Sequence, residues 1–314
     1  MSLKKLLQYL CVSIILLLIV KYFITHQEEL ALITNITFSD FITLLVITLA
    51  VNFVYAHRLF LILKKLGLKQ MSYLYWLKVF AISRFINFHI TQGALVYRGM
   101  KLKKDFNFSY TASITTNIYF AWLESSTILI ISLGTILILN PMMKVSGINV
   151  GILLGLMTSA FLLLPYFLKF LRLNVDTQKR KLSWILERLM NFRQGMTESI
   201  RDTQLTVVIS FYNLITFLLQ ILWLFFCCRA LALNLEIQEL IVMAVAFQLS
   251  AVFKIIPGNF GVKEMIGGFL TESFGLSFGS GIIISGISRF VIYLTVGLLG
   301  LIFSRISIKS EEKT

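Results

Sequence analysis

The sequence predicts an all-α, polytopic membrane protein, with about six helices that span a bilayer and two apolar hairpins that dip into it. Two observations predict this fold class. The first is composition: the 314 residues are 57% hydrophobic and only 14% charged, and the mean hydropathy is +0.84. Soluble domains are about 45–50% apolar and about 25% charged, so this chain has too few polar side chains to cover a water-soluble surface. The second is the presence of several runs of about 20 apolar residues, roughly what crossing a hydrocarbon core of about 30 Å requires.

The spanning segments are predicted from these runs. Lys4 and Lys5 precede the apolar run Leu6–Val20, as in a signal peptide, but no small-residue cleavage site follows. An uncleaved first span is therefore the better interpretation. The predicted spans are residues 6–24, 41–63, 109–139, 149–171, 204–228 and 281–304.

The basic residues predict the orientation. A net charge of +14 could indicate a nucleic-acid partner, but Lys and Arg between apolar spans are more typical of cytoplasmic loops and anionic lipid headgroups. With a cytoplasmic N-terminus, most of the 29 Lys and Arg residues fall on the cytoplasmic side, the Arg58–Lys78 group among them. We therefore expect a multi-pass protein of the cell (inner) membrane with both termini cytoplasmic, and membrane lipids rather than nucleic acid as partners.

Two apolar stretches are interrupted and predict hairpins. Residues 73–97 have basic clusters on both flanks, so they should enter and leave the bilayer on the cytoplasmic side; residues 238–278 should do so on the outer side. For the second stretch, two full crossings would give the same topology. The order span, hairpin, span at 41–139 recurs inverted at 204–304, a common transporter plan. The alternative is coincidence among apolar sequences of similar composition. The chain is otherwise interpreted as a single transmembrane domain, 1–314.

The longest polar stretch is the loop 172–203, in which apolar residues recur at helical spacing between basic ones. This pattern is typical of an amphipathic helix that lies on the cytoplasmic headgroups. We interpret it as an anchor and not as a site.

The break in the second hairpin is the most informative stretch of the sequence. Pro257 ends a helix, glycines allow a reversal, and a new helix can begin near Gly261 with unpaired N–H groups that suit an anion. A structural turn at the outer surface, with Glu264 neutralising its own helix end, is the alternative. The candidates for binding a lipid headgroup from outside are Lys254, Gly258, Asn259, Gly261, Lys263 and Glu264.

Further charged residues lie at membrane depth. Glu124 is midway along the span 109–139, where an unpaired carboxylate costs a few kcal/mol, and Arg289 is the partner that the repeat suggests. This intramembrane charge pair could be functional or purely structural. Arg84 and Arg98, in and after the first hairpin, are candidates for binding a headgroup from inside, although Arg84 could instead extend to the interface.

The sequence shows no P-loop, no Asp-x-Asp and no metal-spaced His or Cys set. We therefore expect no metal, no cofactor and no enzyme activity, although the lack of a motif does not exclude an enzyme.

The stretch Ile256–Glu264 resembles a motif of a known family: the transmembrane, flippase-like region of bacterial lysylphosphatidylglycerol synthases and its stand-alone relatives. It is similar to the family's Pro-Gly-Gly-x-Gly-x-Arg-Glu, with Asn259 for the middle glycine and Lys263 for arginine. An earlier family motif, Pro-Gly-Arg-x-Gly-Glu followed by Arg, is only echoed by residues 91–94 and Arg98. The aminoacyl-transferring domain of full-length members is not seen in this sequence, so the resemblance does not imply a synthase.

The resemblance implies translocation, or another handling, of a lipid with a charged or glycosylated headgroup, including phospholipids and polyprenyl-phosphate-linked lipids. Two alternatives remain at this point. One is a membrane transferase that acts on lipid-linked substrates, and the other is a non-transporting partner of a lipid- or glycan-modifying enzyme.

Overall fold

The computed structural model describes residues 13, 17–90, 92–170, 202–250, 260–306 and 308. Within these ranges the chain is helical apart from short connections and one antiparallel pair of two-residue strands, β1 (Lys144–Val145) and β2 (Ile148–Asn149). The predicted all-α fold class is confirmed. Most of the predicted first span, 6–24, and nearly all of the amphipathic loop 172–203 lie outside the described residues.

The helices are named in chain order. They are α1 (17–25), α2 (Gln27–Leu30), a 3-10 turn (Ala31–Asn35), α3 (Phe38–Lys65), α4 (Tyr73–His89), α5 (Gly93–Phe106), α6 (Tyr110–Leu139), α7 (Val150–Phe170), α8 (Thr203–Ala230), α9 (Ile237–Ser250), α10 (Val262–Ser273) and α11 (Phe278–Arg305).

Four helices in the described part of the chain are long and apolar enough to cross a membrane. They coincide with the spans predicted at 41–63, 109–139, 204–228 and 281–304, and their apolar ranges are Phe38–Lys65, Tyr119–Leu139, Thr203–Ala230 and Phe278–Arg305. A helix of 28 residues is roughly 42 Å long, which exceeds a hydrocarbon core of about 30 Å. The predicted span 149–171 corresponds to α7, whose apolar part is shorter, Val150–Leu164.

The first span of each half begins at a side-chain cap. Thr37 and Asp40 cap α3 reciprocally: the Thr37 Oγ1 accepts from the Asp40 N–H, and the Asp40 carboxylate accepts from the Thr37 N–H. Asp202 caps α8 by accepting from the Leu205 N–H at 3.0 Å. Its other oxygen lies 2.9 Å from the Lys65 Nζ, and this hydrogen bond holds the pKa of the Asp202 carboxyl below its usual value. The end of α3 is thereby tied to the start of α8.

Two helical pairs take the places of the predicted hairpins. Helices α4 and α5, of 17 and 14 residues, form the first hairpin, and α9 and α10, described over 14 and 12 residues, form the second. Each described arm is shorter than the roughly 20 residues that a crossing needs. The second arm of each hairpin follows a residue with positive φ, Gln92 at 62° and Gly261 at 84°. The two breaks therefore share a backbone reversal although their sequences differ.

Helix neighbours follow the same scheme in both halves. Helix α4 packs on α11, the last span of the other half, and α9 packs on α6, the last span of the first half. Helices α3 and α8 pack against each other, and the second arm of each hairpin packs along the span that follows it. Exchange of the two halves thus converts each contact into another observed contact, as a repeat of 41–139 and 204–304 requires. Inversion of the two repeats relative to a bilayer stays a prediction.

Small residues bring the second hairpin close to the last span. A Cβ atom on Gly267 of α10 would lie 2.6 Å from the Gly281 carbonyl oxygen of α11, so only glycine allows this approach of two backbones. In both halves a glycine of the second arm also faces an aromatic ring that begins the next helix. These pairs are Gly99 with Tyr110 and Gly268 with Phe278.

Buried side chains form two apolar clusters with a polar layer between them. On α3, Leu44 and Ile47 belong to one cluster and Leu59 and Ile62 to the other. Several buried polar side chains of α3, α6 and α8 lie between these levels of the helices: Asn52, Arg58, Glu124, Ser125, Asn213 and Thr216. Two hydrophobic regions therefore stabilise the bundle, and a layer that needs hydrogen bonds joins them.

Candidate functional site

A cavity of about 360 Å³ lies between the two halves of the protein. Its walls come from α3 and α4 of the first half, from α8, α9, α10 and α11 of the second, and from the break residue Gln92. Both hairpins thus contribute to one enclosed space.

Three cationic side chains line this cavity. Arg84 comes from the first hairpin, Lys263 from the second, and Arg289 from the last span. Lys263 donates a hydrogen bond to the Ser288 hydroxyl at 2.7 Å and lies over the Phe247 ring. Among the described residues, the Arg84 guanidinium has aromatic contacts with Tyr55 and Phe80 and no hydrogen bond or ion pair. The described lining contains no carboxylate, so it presents a positive surface.

The second hairpin is fixed at its break by Glu264. The Glu264 carboxylate accepts a hydrogen bond from the Gly261 N–H at 2.8 Å, which satisfies one unpaired donor at the start of α10. The same carboxylate accepts two hydrogen bonds from Arg289, through Nε and through Nη2, the latter at 3.0 Å. The predicted neutralisation of the helix end by Glu264 is therefore present, and Arg289 adds an ion pair that joins α10 to α11.

The predicted pair of Glu124 with Arg289 is wrong, because each residue has another partner. Arg58 Nη2 donates to the Glu124 carboxylate at 3.0 Å, and Arg58 Nη1 donates to the Asn213 side-chain oxygen. Arg58 is completely buried, so its side chain does not lie in an exposed loop. The sequence repeat suggested that α6 and α11 would supply one charge each, whereas each half contains its own acid and its own base.

Tyr55 connects the buried ion pair of Arg58 and Glu124 to the cavity. Its hydroxyl donates to Glu124 at 2.7 Å and accepts from Gln248 of α9 at 3.2 Å, with Gln220 of α8 at 3.4 Å. Tyr55 also lines the cavity. One hydrogen-bonded network thus extends from the buried charges of the first half to two helices of the second half.

Side-chain amides form most of the polar lining that remains. Those of α3, α4, the first break, α8 and α9 are Asn52, Asn87, Gln92, Gln220 and Gln248. They do not stand out in the sequence, because an isolated Asn or Gln in an apolar helix carries no motif. Their recurrence in the two predicted hairpins and on the helices that flank them was the available signal.

The remaining predicted site residues have different outcomes. Lys254, Gly258 and Asn259 lie outside the described residues. Arg98 is not part of the cavity lining, and its Nε donates to the Ala94 carbonyl of its own helix at 3.1 Å. In the described ranges, no three His, Cys, Asp or Glu side chains are grouped as a metal site would need.

The fold and the cavity define a multi-pass membrane protein in which two hairpins and their flanking spans enclose a cationic, amide-rich space. Residues 6–300 match the family model for the lysylphosphatidylglycerol synthase TM region, and the chain belongs to this family. The match confirms the family suggested by the residues 256–264 and makes this an integral membrane protein of a lipid-related family. No curated protein and no solved structure matches the chain.

Proposed function

We propose that this protein moves a lipid with a negatively charged headgroup between the two leaflets of the cell membrane. The headgroup would occupy the cavity between the hairpins while the acyl chains stay in the lipid. The observation that carries the proposal is the lining: Arg84, Lys263 and Arg289 face a space that both hairpins help to enclose. Charged groups at membrane depth are costly to maintain and are typical of substrate pathways.

The size of the cavity supports a headgroup as its occupant. About 360 Å³ lies at the lower end of the range of roughly 300–1,000 Å³ that is usual for small-molecule sites. A phosphate with a small substituent fits such a space, whereas two long acyl chains do not. Net positive charge in a space of low dielectric favours an anion strongly over a neutral group.

In this proposal the hairpins give the headgroup a route to the cavity from both sides. Each described arm is too short to cross the bilayer, and non-helical backbone at this depth is tolerated where it lines a wet cavity. Transporters with paired broken helices expose a central site alternately to the two sides. In the proposed orientation, with both termini cytoplasmic, the first hairpin opens toward the cytoplasm and the second toward the outside.

A vesicle assay tests the proposal. Purified protein is reconstituted with a fluorescent phosphatidylglycerol, and the fraction of lipid that an external quencher reaches is followed over time. We expect protein-dependent exposure of the inner-leaflet lipid and a rate that is lower by about tenfold or more in the double variant Arg84→Gln, Lys263→Gln, since each lost charged contact contributes roughly 1.5–3 kcal/mol.

The matched control is Lys103→Gln, which removes one positive charge from an exposed position of α5 outside the cavity. It should transport at the rate of the unaltered protein. Equal rates for the double variant and the control, with both proteins folded by thermal melting, would exclude this cavity as the route.

A further inference from the structure

We propose that the headgroup in this cavity is a phosphate ester whose substituent carries hydroxyl groups and no amine. This inference rests on the proposed function, and it names the class of lipid. It follows from the charges of the lining, from its amide groups, and from the place that these groups occupy on the first hairpin.

The charges argue against an amine in the headgroup. The described lining contains three cations and no carboxylate. The two buried acids nearby are already bound, Glu124 by Arg58 and Glu264 by Arg289. An ammonium group would lie among like charges without an available carboxylate, whereas a phosphate would be stabilised.

The amides argue for hydroxyl groups. Asn87 and Gln92 line the cavity, and the side-chain amide of neither makes a hydrogen bond with a described residue. Asn52 donates to the Thr48 carbonyl at 2.8 Å, which leaves its buried Oδ1 without a donor in the described part of the chain. A carboxamide donates and accepts hydrogen bonds, and so does a hydroxyl group. An ionised phosphate only accepts, so it cannot bond to the carboxamide oxygens of these side chains. A headgroup that lacks hydroxyls would therefore leave these acceptors unmatched.

The first hairpin places the two kinds of group side by side. Asn87 follows Arg84 by three residues on α4, so both lie on one face of the helix. Gln92 begins α5 with φ of 62°, a conformation that costs a residue with a side chain about 1–2 kcal/mol. Gln92 lies at the cavity wall in this conformation. Arg84 is thus placed for the phosphate, and Asn87 and Gln92 for its hydroxylated substituent.

A binding experiment with three short-chain lipids separates charge from hydroxyl recognition. Phosphatidylglycerol has the phosphate charge and two hydroxyls, phosphatidylmethanol has the same charge and none, and lysyl-phosphatidylglycerol adds amines. Binding to the full-length protein in neutral detergent is followed by tryptophan fluorescence, since Trp223 lines the cavity. We expect phosphatidylglycerol to bind about tenfold more tightly than phosphatidylmethanol, and lysyl-phosphatidylglycerol to bind more weakly than either.

Two variants locate the hydroxyl recognition. Asn87→Ala and Gln92→Gly should weaken phosphatidylglycerol binding to the level of phosphatidylmethanol and leave phosphatidylmethanol binding unchanged. The control Gln27→Ala removes an exposed amide outside the cavity, and it should keep the full preference.

Each outcome decides one of the two proposals. Equal affinities for phosphatidylglycerol and phosphatidylmethanol, preferred binding of lysyl-phosphatidylglycerol, or no binding of any lipid would overturn the present inference. Selective binding without protein-dependent movement in vesicles would uphold the headgroup class and overturn transport. Transport of all three lipids at one rate would uphold transport and overturn the headgroup class.

Discussion

The two halves of this protein have the same helical plan, but they neutralise their buried charges in different ways. In the second half, Glu264 of the hairpin arm α10 pairs with Arg289 of the neighbouring span α11. In the first half, Arg58 and Glu124 pair between the two spans α3 and α6, and the hairpin takes no part. The cation of the first hairpin, Arg84, has no acidic partner among the described residues.

This difference between the ion pairs suggests that the two hairpins differ in rigidity and in their response to a bound anion. An ion pair and close glycine packing hold the second hairpin to its span, while the first hairpin presents to the cavity a cation without an ion pair in the described part of the chain. We therefore expect the second hairpin to be the more rigid wall and the first to respond more strongly to a bound anion. Three predictions test this comparison, from the largest expected effect to the smallest.

Loss of Arg58 should be the most destabilising change. Arg58→Met leaves the buried Glu124 carboxylate without its cation, and removal of one partner from a buried pair costs about 3–5 kcal/mol. Arg289→Met should cost less, because Arg289 lies beside the cavity and Glu264 keeps the Gly261 N–H as a donor. Unfolding free energies in mixed detergent micelles measure both effects.

The control for this prediction is the double variant Arg58→Met, Glu124→Gln, which removes both charges and should recover much of the lost stability. Equal losses in the two halves, or no recovery in the double variant, would contradict the proposed difference between the pairs.

Close packing of the second hairpin should give the next largest effect. Gly267→Leu places a side chain against the Gly281 backbone, and overpacking of this kind costs about 1–3 kcal/mol. The atoms nearest to a Cβ on Gly99 belong to the Tyr110 ring, a side chain that can move, so Gly99→Leu should cost less. Melting temperatures of the purified variants compare the two.

Gly286→Leu is the matched control on α11, because no neighbouring group of the described residues lies within 4 Å of its added Cβ. It should melt near the temperature of the unaltered protein. A loss in Gly286→Leu as large as that in Gly267→Leu would show that the close approach of α10 and α11 is not the cause.

The two break residues should respond in opposite directions. Gln92→Gly removes the cost of a residue with a side chain in a left-handed backbone conformation. It should stabilise the protein by less than about 1 kcal/mol, because glycine also raises the conformational entropy of the unfolded chain and so offsets part of the gain. Gly261→Gln places a side chain at a φ of 84°, which residues other than glycine rarely adopt, and should destabilise the protein by about 1–3 kcal/mol. Thermal unfolding of both variants shows whether each one stabilises or destabilises the protein. Gln92→Asn is the control, because asparagine tolerates this backbone conformation.

The positions of the spans and hairpins could be predicted from the sequence because lipid requires long apolar helices and places charges where the chain leaves the bilayer. The break at 257–261 was visible for a related reason, since proline and glycine interrupt a helix in any context. The positions of the spans and of the break depend on the local sequence and on the lipid around the helices, and both can be judged without knowing the tertiary contacts.

The partners of the charges could not be predicted in the same way. Glu124 was identified as a buried carboxylate, but its partner is 66 residues away on another helix. Arg58 lies inside the predicted span 41–63, and its position near one end of that span resembled a cytoplasmic residue. Only the packing of α3 against α6 and α8 determines that its guanidinium is buried. The amides of the cavity were missed because their role comes from convergence of six helices.

The polar layer between the two apolar clusters has a consequence for biosynthesis. Arg58 is synthesised 66 residues before Glu124 and 155 residues before Asn213, the two groups that satisfy its guanidinium. An unpaired arginine in hydrocarbon costs at least a few kcal/mol, so α3 is poorly suited to enter lipid by itself. The insertion machinery therefore has to shelter α3 until α6 is made, and the first half reaches its final state only when α8 of the second half arrives.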